Sequence, residues 1–127
     1  MMKFLLQFFT WWNGQTLGTR FFTWRKGEFV GEDQSGNRYY RQRGGSRRWV
    51  IYAGLAEPSM VPPDWHGWLH QTVDTPPTEE TYEPRPWQKP HLANMTGTPA
   101  AYRPKGSILS DARRPAATGD YEAWQPE

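Results

Sequence analysis

The chain has 127 residues, of which 19 are Leu, Ile, Val or Phe and none is Cys, so disulfide scaffolds, thiolate zinc sites and iron–sulfur ligation are excluded. Aromatic residues nevertheless make up 16% of the chain, with eight Trp among them, and such rings bury large areas and are enriched where protein meets protein. Residues 1–54 carry a net charge of +6 and residues 55–127 one of −4, and every proline lies at or after Pro58, so one small domain of two unlike halves is predicted.

The N-terminal residues predict a short helix over residues 2–13 that ends at Gly14. Apolar residues recur there at intervals of three and four, which places them in one stripe. The stripe consists of Leu5, Phe8, Phe9 and Trp12. Such a helix fits either a membrane interface or a groove in a protein, and both remain open. Residues 15–24 are ambiguous between helix and strand. No apolar run approaches the length of a bilayer span, and neither a signal peptide nor a transit peptide is expected.

Three short segments rich in aromatic and β-branched residues predict a three-stranded antiparallel meander. The segments span residues 28–32, 37–42 and 48–52. Turn-forming sequences separate them, Asp33-Gln34-Ser35-Gly36 after the first segment and Gly44-Gly45-Ser46 after the second. Alternation along the segments predicts one apolar face and one basic face.

Pro63 begins a predicted short helix that runs to about Thr72, because proline is tolerated in a first turn and Asp64 there complements the helix dipole. After Pro76 the sequence alternates proline with charge, which predicts an extended tail without a core of its own. Large apolar side chains recur along this tail, namely Tyr82, Trp87, Leu92, Met95, Tyr102, Ile108, Leu109, Tyr121 and Trp124. The predicted fold is therefore small α+β. Its predicted parts are an aromatic helix and connector (1–26), a meander-plus-helix module (27–75) and an extended Pro-rich interaction tail (76–127).

The predicted module is too small to be stable without help. Domains below roughly 70–80 residues rarely gain more than about 3–5 kcal/mol from their core, and natural ones add staples. Neither a disulfide nor a convincing metal site is available, so docking onto a partner is the remaining way to stabilise it. Buried aromatic residues tend to dominate interface energy. The predicted partner-binding residues are Trp49, Trp65, His66, Trp68, His70, Trp87 and Tyr102.

The sequence offers little for catalysis. His66 and His70 stand four residues apart, a spacing that can bind a metal, but Gly67 occupies the position where a zincin has its glutamate. No third ligand is fixed, so packing at an interface is the simpler interpretation of the two histidines. The chain has no phosphate loop, dinucleotide fingerprint or nucleophile elbow. We therefore expect no catalytic residue, no metal and no cofactor bound by this chain.

Arginines beside the aromatic residues of the meander support a rival hypothesis, a nucleic-acid-binding module. Such a patch could follow a phosphate backbone while the rings stack on bases. The arginines are Arg38, Arg41, Arg43, Arg47 and Arg48. Arginine is also the preferred cation at protein interfaces, and the acidic half of the chain could neutralise the patch.

Several blocks of sequence occur together in an order that resembles one protein family. The blocks are Val30-Gly31-Glu32-Asp33 with Gly36-Asn37-Arg38-Tyr39-Tyr40, Val61-Pro62-Pro63-Asp64-Trp65-His66-Gly67-Trp68-Leu69-His70, Asp74-Thr75-Pro76-Pro77 and Asn94-Met95-Thr96-Gly97-Thr98-Pro99. This succession resembles the small accessory subunit of proton-pumping NADH:ubiquinone oxidoreductase, respiratory complex I, whose paralogue is the assembly factor mimitin. The resemblance covers about residues 27–104.

The resemblance implies a non-catalytic subunit that supports assembly and stability of the complex. It implies docking on the peripheral arm near the membrane-arm junction, against iron–sulfur subunits, with flavin and clusters held by neighbours. A bacterial member would lie on the cytoplasmic side of the inner membrane and a mitochondrial one on the matrix side, each associated with the membrane through the complex. Neither nucleic acid nor a second copy of the chain is expected as a partner. The alternatives are an assembly factor of the same family and the nucleic-acid-binding module.

Overall fold

Three helices and a three-stranded sheet make up the regular structure in this computed structural model, which describes residues 2–110 and 113–126. The helices are α1 (Met2–Phe9), α2 (Leu17–Lys26) and α3 (Pro63–Leu69), the strands are β1 (Gly27–Glu32), β2 (Arg38–Gln42) and β3 (Arg48–Ile51), and a 3₁₀ turn spans Pro58–Met60. After Leu69 the described residues form turns and extended chain, without a helix or strand. The predicted small α+β fold with a long irregular tail is confirmed.

Helix α1 ends at Phe9, four residues earlier than the sequence predicts. The Thr10 hydroxyl donates to the Leu6 carbonyl at 2.6 Å, a local bond of the kind that competes with helix propagation. The chain then turns back, and the Trp12 carbonyl accepts the Ala56 amide at 2.8 Å. The hydrogen bond between Trp12 and Ala56 thus follows shortly after the helix. The periodicity of the sequence does not reveal such a contact between distant residues.

The segment that the sequence leaves open between helix and strand is helix α2. Thr16 caps its N-terminus, because its Oγ1 accepts a backbone amide three residues on at 3.1 Å. Arg25 and Lys26 lie in the last turn, where cations complement the helix dipole. Strand β1 begins directly afterwards at Gly27, which has no room for a side chain, since a Cβ there would lie 2.5 Å from the Thr23 carbonyl oxygen.

The sheet is an antiparallel meander in the order β1-β2-β3, as the sequence predicts. Each observed strand differs from its predicted segment by one residue at one end. A bulge between Phe29 and Gly31 shifts the register of β1 against β2, and Val30 at the bulge packs against the core. Both turns of the meander use a glycine with positive φ, Gly36 at +84° and Gly44 at +66°.

The two faces of the sheet do not divide into an apolar and a basic one, so that prediction is wrong. Successive side chains in a strand point to opposite faces, and the sequence Arg38-Tyr39-Tyr40-Arg41 therefore places one tyrosine and one arginine on each. Tyr39 pairs with Val50 on the face that packs against α3, whereas Tyr40 pairs with Trp49 on the opposite face. Each face has aromatic or apolar residues beside charged ones.

Helix α3 closes one face of the sheet with a small aromatic core. The Trp65 ring stacks on Tyr39 with centroids 4.0 Å apart and planes at 8°, and Trp68 meets Trp65 edge to face at 5.7 Å. Tyr39, Trp65 and Trp68 are 0%, 4% and 2% exposed, and Val61 at 7% completes the buried hydrophobic cluster. Gly31 lies beneath Trp65, where an added Cβ would approach the ring to 2.8 Å. The core thus consists of two stacked rings above a glycine, with a third ring edge-on to both.

Helix α3 ends at Leu69, before the predicted end at about Thr72, because the chain changes conformation there. Gln71 has a φ of +60°, and the Gly67 carbonyl accepts the next two amides, at 3.0 and 3.2 Å. The Arg48 guanidinium then donates to the carbonyls of Trp68 at 2.6 Å and Val73 at 2.9 Å. The Trp68 carbonyl also accepts the Gln71 amide at 3.1 Å, so Arg48 adds a charged donor at the end of the helix.

The turn between β1 and β2 is built around the Asp33 carboxylate. Its Oδ1 accepts the amides of Ser35 and Asn37 at 2.8 and 3.0 Å. Its Oδ2 accepts the Asn37 side-chain amide at 2.9 Å and the Tyr39 hydroxyl at 2.8 Å. Burial, and after it this bond to a carboxylate, raise the pKa of Tyr39 well above its usual range. The turn therefore fixes the ring on which Trp65 stacks.

The chain forms two compact units, Met1–Asn94 and Met95–Glu127. The first contains all the helices and strands described above, and the second consists of turns and extended chain in its described residues. The three-part division predicted from the sequence stays a prediction. Among the described residues, no helix has both the length and the apolar character needed to cross a bilayer.

Candidate functional site

The predicted anchors Trp65 and Trp68 lie in the core of this chain. They are the two buried residues of α3, and their rings contact Tyr39 and each other. A side chain buried in its own fold has almost no surface left for a partner. The structure therefore assigns both tryptophans to the core, and it leaves partner binding to the exposed residues of the set.

Trp49 lies on the opposite face of the sheet and is half-buried. Its indole nitrogen donates to the Thr23 hydroxyl of α2 at 3.0 Å, and its ring packs against Phe22 of the same helix at 5.2 Å. On the other side it stacks with Tyr40 at 6.2 Å, and Tyr40 meets Phe29 edge to face at 5.6 Å. Trp49 thus anchors α2 to the sheet and continues a row of rings across it.

This row, Phe29–Tyr40–Trp49, is a surface that the sequence did not single out. Phe29 at its edge is exposed, and Tyr40 is partly exposed. The strand period of two places Phe29, Tyr40 and Trp49 on one face once the register is known. The register could not be predicted from the sequence, because the bulge after Phe29 shifts the pairing of β1 with β2.

His66 on α3 and His70 directly after the helix are both exposed, with ring centroids 4.1 Å apart. They line an open groove together with His91, whose Nε2 lies 2.7 Å from the Ser59 carbonyl oxygen. Among the described residues, no three His, Cys, Asp or Glu side chains are grouped so as to hold a metal ion. The groove therefore presents the three histidines to solvent or to a partner. Their contacts in this structure do not indicate a catalytic or metal-binding role.

Trp87 and Tyr102 are 77% and 88% exposed. Gln88 organises the turn that carries Trp87, because its Oε1 accepts both the Tyr82 hydroxyl at 2.8 Å and the Arg85 amide. The tryptophan is thus held outward by a local network and not by packing. Exposed rings of this size are the kind of side chain that becomes buried at an interface.

Three of the five arginines proposed for nucleic acid are engaged within the sheet module. Arg41 makes two bonds to Glu28, at 2.9 and 3.2 Å, and Arg38 pairs with Glu32 at 3.3 Å. The hydrogen bond from Arg41 lowers the pKa of Glu28. Arg48 caps α3, as described above. Arg48 also pairs with Asp74 at 3.4 Å, so the neutralising acids come from β1 and from the acidic half of the chain, and the patch offers fewer free cations than the sequence suggests.

Comparison with known proteins matches residues 27–126 to the model of a family described as NADH ubiquinone oxidoreductase subunit NDUFA12. Two relatives named NADH dehydrogenase (ubiquinone) 1 alpha subcomplex subunit 12 are similar to the chain. The protein of Dictyostelium discoideum is 38% identical in an alignment over 89 residues that covers 66% of this chain and 64% of the relative. The protein of Bos taurus is 43% identical in an alignment over 92 residues that covers 61% of this chain and 63% of the relative.

A bacterial protein is also similar to the chain. It is an uncharacterized protein of Rickettsia prowazekii, 41% identical in an alignment over 103 residues that covers 76% of this chain and 85% of the relative. The chain spans slightly less than two thirds of the length of the two eukaryotic relatives. Residues 2–26 lie outside the matched family model, whereas the sheet, the aromatic core and the tail lie within it.

Proposed function

The chain belongs to the family of NADH ubiquinone oxidoreductase subunit NDUFA12, and from that premise we propose that it is a non-catalytic accessory subunit of respiratory complex I. The extent of the match carries the proposal, because residues 27–126 include both the folded module and the tail. Two relatives bear the name of a subunit of NADH dehydrogenase (ubiquinone). A chain that matches along its tail as well as its core is expected to use both in the same assembly.

The distribution of exposed side chains supports a role as a docked subunit. The buried apolar core within residues 2–110 and 113–126 consists of four residues. Large apolar side chains after Pro76 are exposed instead, namely Tyr82, Trp87, Leu92, Tyr102, Ile108, Leu109, Tyr121 and Trp124. Aromatic side chains are enriched where protein meets protein, and a core so small gains stability from a partner.

Within the complex, we propose docking on the peripheral arm near its junction with the membrane arm, against the iron–sulfur subunits. The flavin and clusters then belong to neighbouring subunits, and this chain binds none of them. The membrane side follows from that position, cytoplasmic in a bacterium and matrix in a mitochondrion. The resemblance of the sheet and α3 sequences to the family supports this position, and the absence of cysteine supports the absence of a cluster.

The experiment that tests the proposal is purification of complex I from cells in which this chain carries a small tag at its C-terminus. We expect one copy of the chain per enzyme, measured by quantitative mass spectrometry, on fractions that oxidise NADH with ubiquinone. Recovery only on incomplete intermediates would identify an assembly factor of the same family. Absence of the chain from both kinds of fraction would contradict the proposal.

A further inference from the structure

The N-terminal segment, residues 2–26, has a surface that the family match does not explain. None of these residues, all of which the structure describes, is buried. Most of the segment's large apolar side chains are exposed, namely Met2, Phe4, Leu5, Leu6, Phe8, Phe9, Trp11, Trp12, Phe21 and Trp24. The family model begins only at Gly27. The segment therefore carries exposed apolar surface that neither the core nor the family match uses.

The charge of this segment has one sign. It holds Lys3, Arg20, Arg25 and Lys26, and the first acidic residue of the chain is Glu28. Cations beside exposed aromatic residues, without interspersed acids, favour an anionic surface over a neutral or basic one. Tryptophan at such a surface fits the boundary between hydrocarbon and headgroup, where its ring is apolar and its N–H finds a polar partner.

Helix α1 is amphipathic with a narrow polar stripe. Lys3 and Gln7 stand four residues apart and so share one side, and Thr10 continues that side beyond the helix end. The remaining positions of α1 are Met, Phe or Leu. An amphipathic helix with this pattern lies in the plane of a bilayer surface with its polar stripe outward.

Helix α2 repeats the arrangement and is oriented by the sheet. Phe22 and Thr23 face the sheet, where they contact Trp49. Phe21 and Trp24 are three residues apart, their rings lie 5.8 Å from each other, and both are exposed. The helical spacing places Arg20 on one flank of this pair and Arg25 on the other. Arginines in such flanking positions can lay their stems on the apolar surface and direct their heads to lipid phosphates.

We propose that residues 2–26 bind the surface of an anionic lipid bilayer, with Phe21, Trp24 and the apolar side of α1 at the acyl boundary. The pairing of apolar side chains with flanking arginines, the absence of acids and the exposure of most large apolar side chains of the segment together carry this proposal. It goes beyond association with the membrane through other subunits. It also stands apart from the proposed function, because binding to lipid requires no other protein.

Co-sedimentation of the full chain with vesicles tests the proposal. We expect binding to vesicles of equal parts phosphatidylglycerol and phosphatidylcholine, and much weaker binding to phosphatidylcholine alone. Added salt should weaken the binding, since part of it is electrostatic. Equal binding to both kinds of vesicle, or binding to neither, would overturn the proposal.

Two double variants locate the binding surface. Phe21→Gln with Trp24→Gln, and Arg20→Gln with Arg25→Gln, alter exposed side chains only, so the sheet module should fold as in wild type. We expect each to lower the partition coefficient onto anionic vesicles by on the order of tenfold or more. Matched controls in the second unit, Tyr102→Gln with Ile108→Gln and Arg103→Gln with Arg113→Gln, should leave it within about twofold.

A different result would place the segment in a protein groove. If the N-terminal variants are lost from purified complex I while the wild-type chain shows no affinity for vesicles, the membrane proposal is wrong. If all four double variants reduce vesicle binding equally, the binding is unspecific and the proposal fails as well. Failure of either kind leaves the copy number of the chain in complex I unaffected, so the two proposals are tested separately.

Discussion

The sheet module and the chain that follows it use the same aromatic residue types in opposite ways. Tyr39, Trp65 and Trp68 bury one another, whereas Trp87 and Tyr102 lie almost wholly in solvent. Regular structure makes the difference, because a strand period of two and a helix spacing of three bring rings from separate elements to one place. The tail has proline and charge in place of that periodicity. Aromatic content alone therefore does not distinguish a core from a docking surface.

Replacing a core tryptophan should have the largest effect on stability. Trp68→Ala leaves a cavity under Arg48 and removes an edge-to-face partner of Trp65. We expect the free energy of unfolding to fall by about 4 kcal/mol, measured by urea denaturation followed by near-UV circular dichroism. The same change at exposed Trp124 is the control and should alter it by less than about 0.5 kcal/mol. Equal effects at both positions would remove the distinction between the two regions.

Adding a single methyl group beneath the stack should have the next largest effect. A Cβ at Gly31 would lie 2.6 Å from Thr78 Cγ2 and 2.8 Å from Trp65 Cη2. We expect Gly31→Ala to lower the free energy of unfolding by about 3 kcal/mol, because the ring must move. Gly54→Ala is the matched control, since its Cβ would meet nothing within 4 Å. A neutral Gly31→Ala would show that the stack is loosely packed.

A comparison of Arg48 with its neighbour Arg47 distinguishes the effect of capping α3 from the effect of removing a surface charge. Arg48 donates to two carbonyls at the end of α3 and lies over the Trp68 ring at 5.0 Å. We expect Arg48→Gln to lower the free energy of unfolding by about 2 kcal/mol, because the Trp68 and Val73 carbonyls lose a charged donor. Arg47→Gln next to it should change stability little, and thermal denaturation of both variants checks this. A larger loss at Arg47 would contradict the assignment of Arg48 as the cap.

The smallest effect concerns the Tyr39 hydroxyl and its dependence on pH. Its pKa is raised in the folded state, by burial first and by Asp33 next, so its contribution to stability is complete below pH about 10 and is lost as the pH rises further. Burial also raises the pKa of Tyr52, which adds a loss of the same sign. We expect Tyr39→Phe to cost about 1.5 kcal/mol at neutral pH.

Above pH 10 the comparison should change in a predictable direction. The stability of the wild type should fall more steeply than that of Tyr39→Phe, because the variant has no buried hydroxyl to ionise at that position. Urea denaturation at a series of alkaline pH values measures both slopes. Tyr121→Phe, at an exposed position, should follow the wild type. Parallel slopes for wild type and Tyr39→Phe would contradict burial of a neutral hydroxyl.

Local signals in the sequence predict most of the fold. The turn residues after Glu32 and after Gln42, and the proline that begins α3, place the meander and its helix to within a residue or a turn. Periodicity does not reveal the bulge after Phe29, nor the local hydrogen bonds and the Gln71 backbone conformation found where α1 and α3 end. The Thr16 cap is a local signal for α2 that the ambiguous residues after it obscure.

The docking residues are harder to predict than the fold. Trp65 and Trp87 are the same residue type in a proline-flanked setting, and only the partner ring of Tyr39 makes the first a core residue. Interface anchors can therefore be selected from the sequence as a class, but the division between core and surface needs the register of the sheet. Trp49, between α2 and Tyr40, contributes to packing and to the exposed face at once.

The most direct test of this account compares folding with retention in complex I for one variant. Trp87→Ala with Tyr102→Ala removes two exposed rings and should leave the free energy of unfolding within about 0.5 kcal/mol of wild type. The same variant, expressed in place of the wild type, should be recovered on purified complex I at least about tenfold less. A few anchor residues carry most of the binding energy of an interface, and this variant truncates two of them. Unchanged stability with unchanged recovery would contradict the claim that the aromatic residues of the tail serve a partner.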